Sequence, residues 1–278
     1  MKLQQRYDDP GLLRFTGPLA DPSIAMLRQR RRFASILTGL DDAQWAAPSR
    51  CEGWSVQDVI SHLVTVNRFW AIAFASARKG EPTRFLVELD PVATPAELVN
   101  GVRDLPWAKV LDGFVESNEE IADSVAGLDD DGWSMLGEAP PGHIPLRGVA
   151  YHALWDAWIH ERDVVLPLGL PPVEEPDEIA DSLRYVAALS PLFAVTAGAG
   201  RAGSVVIDAT EPDVHLVVDV AADGVVVHDG EPSTDPLRFT GPAVELIEGL
   251  SFRSPFSQPV ADEHRWLFHG LGKAFDRV

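Results

Sequence analysis

The sequence predicts an all-helical unit followed by a small α+β unit, and three observations carry that expectation. Between Ser23 and about Leu166 lie four long helix-like segments with no strand-like alternation among them, which is the pattern of a helical bundle. Beyond Gly203 the apolar period changes from helix to strand, in β-branched runs separated by turn signals. The proline-rich stretch 167-PLGLPPVEEP-176 stands between the two parts, as a linker does.

The first helix is marked by Ile24, Leu27, Arg31, Ala34 and Leu37 and stops at Gly39. A connector follows, 41-DDAQWAAPSRCEGW-54, broken by Pro48 and Gly53. Ser55 offers an N-cap to a long helix over 55–80 that ends at Gly80. The third begins near Thr94 with Pro95 just inside, where proline costs least; it is interrupted near Pro106 and resumes over 107–128. The fourth is 147-RGVAYHALWDAWIHERDVV-165, closed by Pro167 and Gly169. A connecting helix over 177–193 leads to 198-GAGRAG-203, which is not a phosphate loop because no strand precedes it and no GK[ST] follows. Strands are expected at 204–209, 214–222 and 224–230, with Asp223-Gly224 as a hairpin turn, then helices over 241–250 and near 263–278. The expected organisation is an irregular N-terminal arm (1–22), a helical domain (23–170), a linker with its connecting helix (171–203) and an α+β domain (204–278).

With 278 residues, 46% of them hydrophobic, the chain can bury one large core or two ordinary ones. Its formal charge is −19, and its basic block 28-RQRRR-32 is flanked by Leu27 and Phe33 in a helical pattern. Nucleic acid and anionic membrane surfaces are therefore poor partners. The single cysteine, Cys51, excludes an intramolecular disulfide and a CxxC zinc site and suits a reducing compartment. A small buried residue beside a turn is its expected role, ahead of a reactive thiol. The N-terminal MKLQQRYDDP lacks the apolar region of a signal peptide, and no apolar run reaches the ~18 residues of a membrane span. The expectation is a soluble cytoplasmic protein, monomer or homodimer, whose partner is a small molecule.

On the fourth helix, His152, Asp156 and His160 fall within about 80° of one another at 100° per residue, and Asp163 extends the same stripe. An Asp-x-x-x-His pair supplies one hard oxygen and one imidazole nitrogen, a mix suited to zinc, iron, nickel or manganese. In isolation the pattern reads first as a polar, solvated helix face. The neighbours Val149, Ala153, Ala157 and Val164, with Trp155 and Trp158 on the other sides, make the helix apolar nearly all round, so the stripe faces a cavity in a bundle. His62 is the candidate third ligand, at the edge of the apolar stripe Val56, Val59, Ile60, Leu63, Val66, Trp70 and Phe74. A hydrogen-bonded core histidine is the competing reading there.

The run 37-LTGLDDAQWAAPSRCEGWSVQDVISHL-63, with its P-x-x-C-x-G-W-[ST]-V-x-D-V-x-x-H-L core, closely resembles the start of the mycothiol-dependent maleylpyruvate isomerase family, a branch of the DinB-like four-helix metal proteins. The segment 156-DAWIHERDV-164 is similar to that family's carboxylate-x-x-x-His followed by Asp, and the C-terminal unit resembles its sterol-carrier-like α+β domain. The resemblance implies a DinB-like up-down four-helix bundle with metal ligands at His62, Asp156 and His160, and with His152 and Asp163 close behind them. Zinc is the first choice of ion; nickel, iron and manganese follow. The family usually carries Glu where this chain has Asp156, and the missing methylene draws the carboxylate about 1.5 Å back toward its helix. The ion would then lie closer to this helix, be bound through water, or recruit His152.

The activity implied is that of a metal enzyme using mycothiol or another low-molecular-weight thiol for S-transfer to, or isomerisation of, a small electrophile. A divalent ion lowers the pKa of a thiol or polarises a carbonyl oxygen. Arg253 matches the place of an arginine in the family's second domain and is a candidate substrate or thiol contact, with a surface ion pair as the alternative. Arg68 and Arg147 are weaker candidates. A metal-dependent hydrolase on the same ligands, or a non-catalytic small-ligand-binding protein, fits the same residues. His143, in PPGHIPL, is expected to face solvent from a loop. His215, His228, His264 and His269 lack defensible ligand spacing, and 129-DDD-131 and 174-EEPDE-178 read as solvated connectors.

Overall fold

The computed structural model describes residues 4–87, 89–256 and 258–274. In chain order the first half forms β1 (Leu13–Phe15), α1 (Pro22–Thr38), α2 (Asp42–Trp45), α3 (Val56–Ala77), α4 (Ala93–Asn100), α5 (Trp107–Val125) and α6 (Asp130–Ser134). A hairpin of β2 (Leu136–Ala139) and β3 (Gly142–Pro145) then leads into α7 (Leu146–Val165) and α8 (Pro176–Thr196). The last part is β4 (Gly203–Thr210), β5 (Val214–Val220), β6 (Val225–His228), β7 (Pro236–Pro242), α9 (Ala243–Leu250), α10 (Arg265–Phe268) and α11 (Gly270–Ala274).

The long helices begin where the sequence supplies caps. Asp21 accepts from the Ser23 amide at the start of α1, with Pro22 in the first turn. Ser55 and Asp58 form a reciprocal capping box at the start of α3, satisfying two amides that would otherwise lack partners. Helices α3 and α5 pack on one another, α1 packs on α5 and α7, and α3 also meets α7. Phe33, Leu37, Trp45, Val59, Ile60, Leu63 and Phe114 fill the space between them together with Ala157 and Val164 of α7. Although α3 is long and apolar enough to cross a membrane by length and composition, it spends its apolar face on this core.

A second, larger core joins the two parts of the chain. It runs from Trp70 and Phe74 through Tyr151, Trp155 and Trp158 to Tyr185 and Leu192 of α8 and on to Val205, Val218 and Phe239 of the sheet. Helix α8, expected only to connect, instead packs against α7 on one side and against β5, β6, α9 and α11 on the other. The sheet has the order β1-β6-β5-β4-β7. Its centre is the antiparallel β4–β5–β6 meander, with β7 parallel to β4 and β1 parallel to β6.

Several expectations are corrected here. The expected irregular arm contains a strand: Leu13, Arg14 and Phe15 pair with Val225, Val226 and Val227, so this segment closes one edge of the C-terminal sheet. Strand β7 and the β2–β3 hairpin were not expected. The hairpin interrupts what read as an uninterrupted run of helices, and its Gly142 takes φ +122° with the Arg6 backbone against it, a place where a side chain does not fit. That contact buries His143, which was expected in solvent; its Nδ1 accepts from the Asp8 amide at 3.1 Å and its Nε2 lies 2.9 Å from Thr83 O. The acidic run 174–178 is not wholly a solvated connector either. Glu178 is fully buried at the start of α8, where Arg28 and Arg32 of α1 donate to it. Of the last expected helix, residues 275–278 lie outside the described residues.

Candidate metal centre

Three side chains from two helices converge in the centre of the helical part. The capping box fixes where α3 starts and so where His62 points; Asp156 and His160 stand one turn apart on α7. His62 Nε2 lies 3.8 Å from Asp156 Oδ2, and His160 Nε2 lies 3.7 Å from Asp156 Oδ1. The two imidazole rings meet edge to face with centroids 5.1 Å apart, and Trp54 leans against His62 from the connector. Gly53, at φ +75°, turns the chain so that Trp54 can take that position.

These separations are too long for hydrogen bonds. They fall inside the roughly 4.2 Å that two donors can span across one ion with bonds of about 2.1 Å. The donor atoms of His62, Asp156 and His160 all lie within 4.8 Å of one another. Two imidazoles and one carboxylate suit a borderline divalent cation, so the residues present fit the ion that the resemblance implies. The side chains keep 12%, 16% and 9% exposure, so the site is recessed without being sealed.

The other nitrogen of His160 faces a different set of groups. Its Nδ1–H donates to Asp163 Oδ2 at 3.0 Å. The Cys51 thiol donates to the same oxygen at 3.2 Å and stands 3.7 Å from His160 Nδ1. Cys51, His160 and Asp163 thus form a second cluster of potential ligands. Asp163, however, is fully buried and already holds two guanidinium groups: Arg253 Nε at 3.0 Å and Nη2 at 2.9 Å, and Arg50 Nε at 3.0 Å. A cation added there would meet two positive charges at close range. Among the described residues, the ion-pair partners of Asp156 within 4.0 Å are the two histidines. The Nε2 side is the one that suits a metal.

Electrostatics follow the same division. Burial alone would raise the Asp156 pKa, but His62 and His160 beside it hold the carboxyl well below the usual carboxylate range. Burial pulls His160 down, and Asp163 with Cys51 outweighs it and pushes the imidazole up to about 10. An ion at Nε2 would take the place of that second proton. Burial pulls Arg30 down to about 10, partly offset by the charge of Asp156. It therefore remains a cation, held by Asn67 Oδ1 at 3.2 Å and Ala153 O at 2.9 Å.

His152 lies one turn before Asp156 but is not drawn into the donor set. Its Nδ1 is 2.6 Å from the Tyr185 hydroxyl, and Trp70, Trp155 and Tyr185 surround the ring. Burial lowers its pKa to about 4, so it is neutral at physiological pH. Arg253 is engaged with Asp163 and is not a free surface cation. Arg68 reaches toward Glu116 at 3.9 Å on the exposed side of α3, while Arg147 is spent on Ala20 O and Asp130. Cys51 is half-buried beside its turn, as part of the Asp163 cluster.

The sequence reading missed Arg50, Arg162 and Glu248. Glu248 on α9 accepts from Arg50 at 2.9 and 3.1 Å and from Arg162 at 2.7 Å. Arg50 precedes the Cys51 turn and was within reach of the motif. Nothing local distinguishes Glu248 from a surface glutamate on a short helix.

Solved structures of one other protein share this architecture. The mycothiol-dependent maleylpyruvate isomerase and its histidine-to-alanine mutant each superpose with a TM-score of 0.59, covering 84% of this chain and 90% of theirs, at 19% and 18% identity. At that identity the likeness concerns the fold. The sequence matches no curated protein. The model of the mycothiol maleylpyruvate isomerase N-terminal domain matches residues 26–165, which carry His62, Asp156 and His160. The chain belongs to the mycothiol maleylpyruvate isomerase N-terminal domain family.

Proposed function

We propose that this protein is a divalent-metal-dependent enzyme that uses mycothiol or a similar low-molecular-weight thiol to isomerise a small electrophilic substrate, or to transfer the thiol to it. The observation that carries the proposal is the convergence of His62, Asp156 and His160 at separations suited to one shared ion. Family membership supports the thiol and the isomerase chemistry. In this reading α1, α3, α5 and α7 form a DinB-like up-down four-helix bundle over residues 23–170, followed by a sterol-carrier-like α+β domain. The protein works in the cytoplasm as a monomer or homodimer on a small molecule.

His62, Asp156 and His160 would hold the ion, zinc first and nickel, iron or manganese next. When bound, it supplies a Lewis acid that stabilises a thiolate near neutral pH and polarises a substrate oxygen. Asp156 contributes one negative charge and the imidazoles none, so the ligands leave the site positive overall and attractive to a thiolate or carboxylate. One turn before Asp156, α7 borders the three donors. There His152 and Tyr185 present a neutral polar edge among Trp70 and Trp155. Trp70, His152 and Tyr185 are buried, and a wall of low dielectric on that side would strengthen electrostatic contacts with a bound electrophile.

The test is metal analysis of the full chain followed by turnover of a cis-unsaturated dioxo acid such as maleylpyruvate, with and without mycothiol. One divalent ion per chain and activity that needs both ion and thiol are expected. Turnover of ester or amide substrates without thiol would replace the proposal with a hydrolase, and a chain that takes up no stoichiometric metal would remove it.

A further inference from the structure

The four consecutive residues His160, Glu161, Arg162 and Asp163 are all buried, yet each faces a different element. Glu161 accepts from Arg32 and Gln29 of α1. Arg162 donates to Glu248 of α9 and to Glu174 of the linker. Asp163 is the one whose contacts lead back to the donor set. It takes the Nδ1–H of His160, and Arg253 holds it from beyond α9 through both Nε and Nη2. Arg50 completes the arrangement by donating to Asp163 through Nε and to Glu248 through both terminal nitrogens. The Arg50 amide also donates to the Asp163 carbonyl at 3.0 Å. The connector before α3, the end of α7 and the segment after α9 are therefore fastened at one carboxylate.

We infer that Asp163 is a positioning residue that presents His160 Nε2 to the ion, and that Arg253 makes this presentation depend on docking of the C-terminal domain. The inference rests on the reading of His62, Asp156 and His160 as metal ligands. An imidazole has two ring nitrogens, and a hydrogen bond from one fixes both the tautomer and the direction of the other. Arg253, through Nε and Nη2, and Arg50, through Nε, hold Asp163 from two sides and fix its orientation beneath His160. A domain that carries Arg253 away would leave Asp163 with Arg50 alone and free to rotate, and His160 would follow. Metal affinity would then report the closure of the domain interface, although no residue of the C-terminal domain lies among the ligands.

The experiment measures zinc affinity by chelator competition and the visible spectrum of the cobalt-substituted full chain for five proteins: unaltered, Asp163→Asn, Arg253→Leu, Arg253→Lys and Glu248→Gln. Outer-shell changes of this type lower metal affinity about 10–100-fold. That loss is expected for Asp163→Asn, with a smaller loss for Arg253→Leu, altered cobalt band positions in both, and Arg253→Lys restoring part of the affinity. Glu248→Gln, which loosens the same interface without touching Asp163, should stay within about twofold of the unaltered chain, far below that outer-shell range. If Asp163→Asn does not fold, Arg253→Leu decides alone. Unchanged affinity and spectrum in both variants overturn the inference while leaving the metal site intact. A loss in Arg253→Leu no greater than in Glu248→Gln assigns the effect to general packing and overturns it as well. An unaltered chain that binds no zinc removes the metal reading, and the inference falls with it.

Discussion

The two nitrogens of His160 look out on opposite surroundings, although only an imidazole separates them. On the Nε2 side stand Asp156 and His62, close enough to share an ion and too far apart to bond to each other. On the Nδ1 side stand Asp163 and Cys51, with two guanidinium groups against the carboxylate. By residue type both sides offer a potential ligand set, and Cys51 would make the second one a stronger zinc site on softness alone. The difference lies in what already compensates the carboxylate. Asp163 is neutralised by arginines and is part of the scaffold; among the described residues, Asp156 has the two imidazoles as its ion-pair partners within 4.0 Å and remains available to a cation.

The largest expected effect is on the Nε2 side. Alanine at His62 or His160 removes one of three donors, and zinc affinity should fall by more than the roughly 100-fold that bounds outer-shell changes. Competition with a chelator measures this, and circular dichroism of the same samples checks that the helices persist. If His62→Ala retains zinc at full affinity, the ion is not held between α3 and α7.

The legibility of these two sides in the sequence differed for a physical reason. The Asp156–His160 pair declared itself through helical spacing on an apolar helix, because i,i+4 geometry is local. His62 became a candidate through its place on the apolar stripe of α3 and through the resemblance of the Trp54–His62 block. The Nδ1 side is assembled from Arg50, Cys51, Asp163, Glu248 and Arg253, which are brought together only by tertiary packing. Asp163 was noted for its place on the stripe, but its two arginines were not. The same limit applies to the fold. Long periodic helices were readable, whereas β1 spans three residues, too few to show a period. Strand β7 begins and ends in proline, a composition that argues against a strand in isolation. Glu178 read as solvated because nothing in 174-EEPDE-178 announces the arginines of α1 that bury it.

A middle-sized effect should separate stability from metal binding. Glu248 compensates both Arg50 and Arg162, and its own side chain is 9% exposed. Replacing it with Gln leaves two mostly buried guanidinium groups short of charge. Breaking a buried ion pair from one side costs about 3 kcal/mol or more; the 25% exposure of Arg50 places the expected loss near the lower end. Urea unfolding at neutral pH measures it. A loss below about 0.5 kcal/mol, the scale of ordinary surface substitutions, would mean that water already compensates these arginines and that the interface is looser than its hydrogen bonds indicate.

The smallest expected effect tests the comparison most directly. Cys51 is the softest donor near His160, and if the ion belonged on the Nδ1 side its thiolate would be the dominant ligand. In the arrangement described here the thiol only donates to Asp163 Oδ2 at 3.2 Å, a bond that a serine hydroxyl can also make. Cys51→Ser should therefore change zinc affinity by less than about twofold and stability by about 1 kcal/mol or less, the range of one ordinary hydrogen bond. The cobalt-substituted chain should lack a thiolate-to-metal charge-transfer band before and after the change. A strong band in the unaltered chain that disappears with Cys51→Ser would move the ion to the other side of His160. It would also require Arg253 and Arg50 to withdraw from Asp163, since a divalent cation and two guanidinium groups cannot share that buried carboxylate at contact distance.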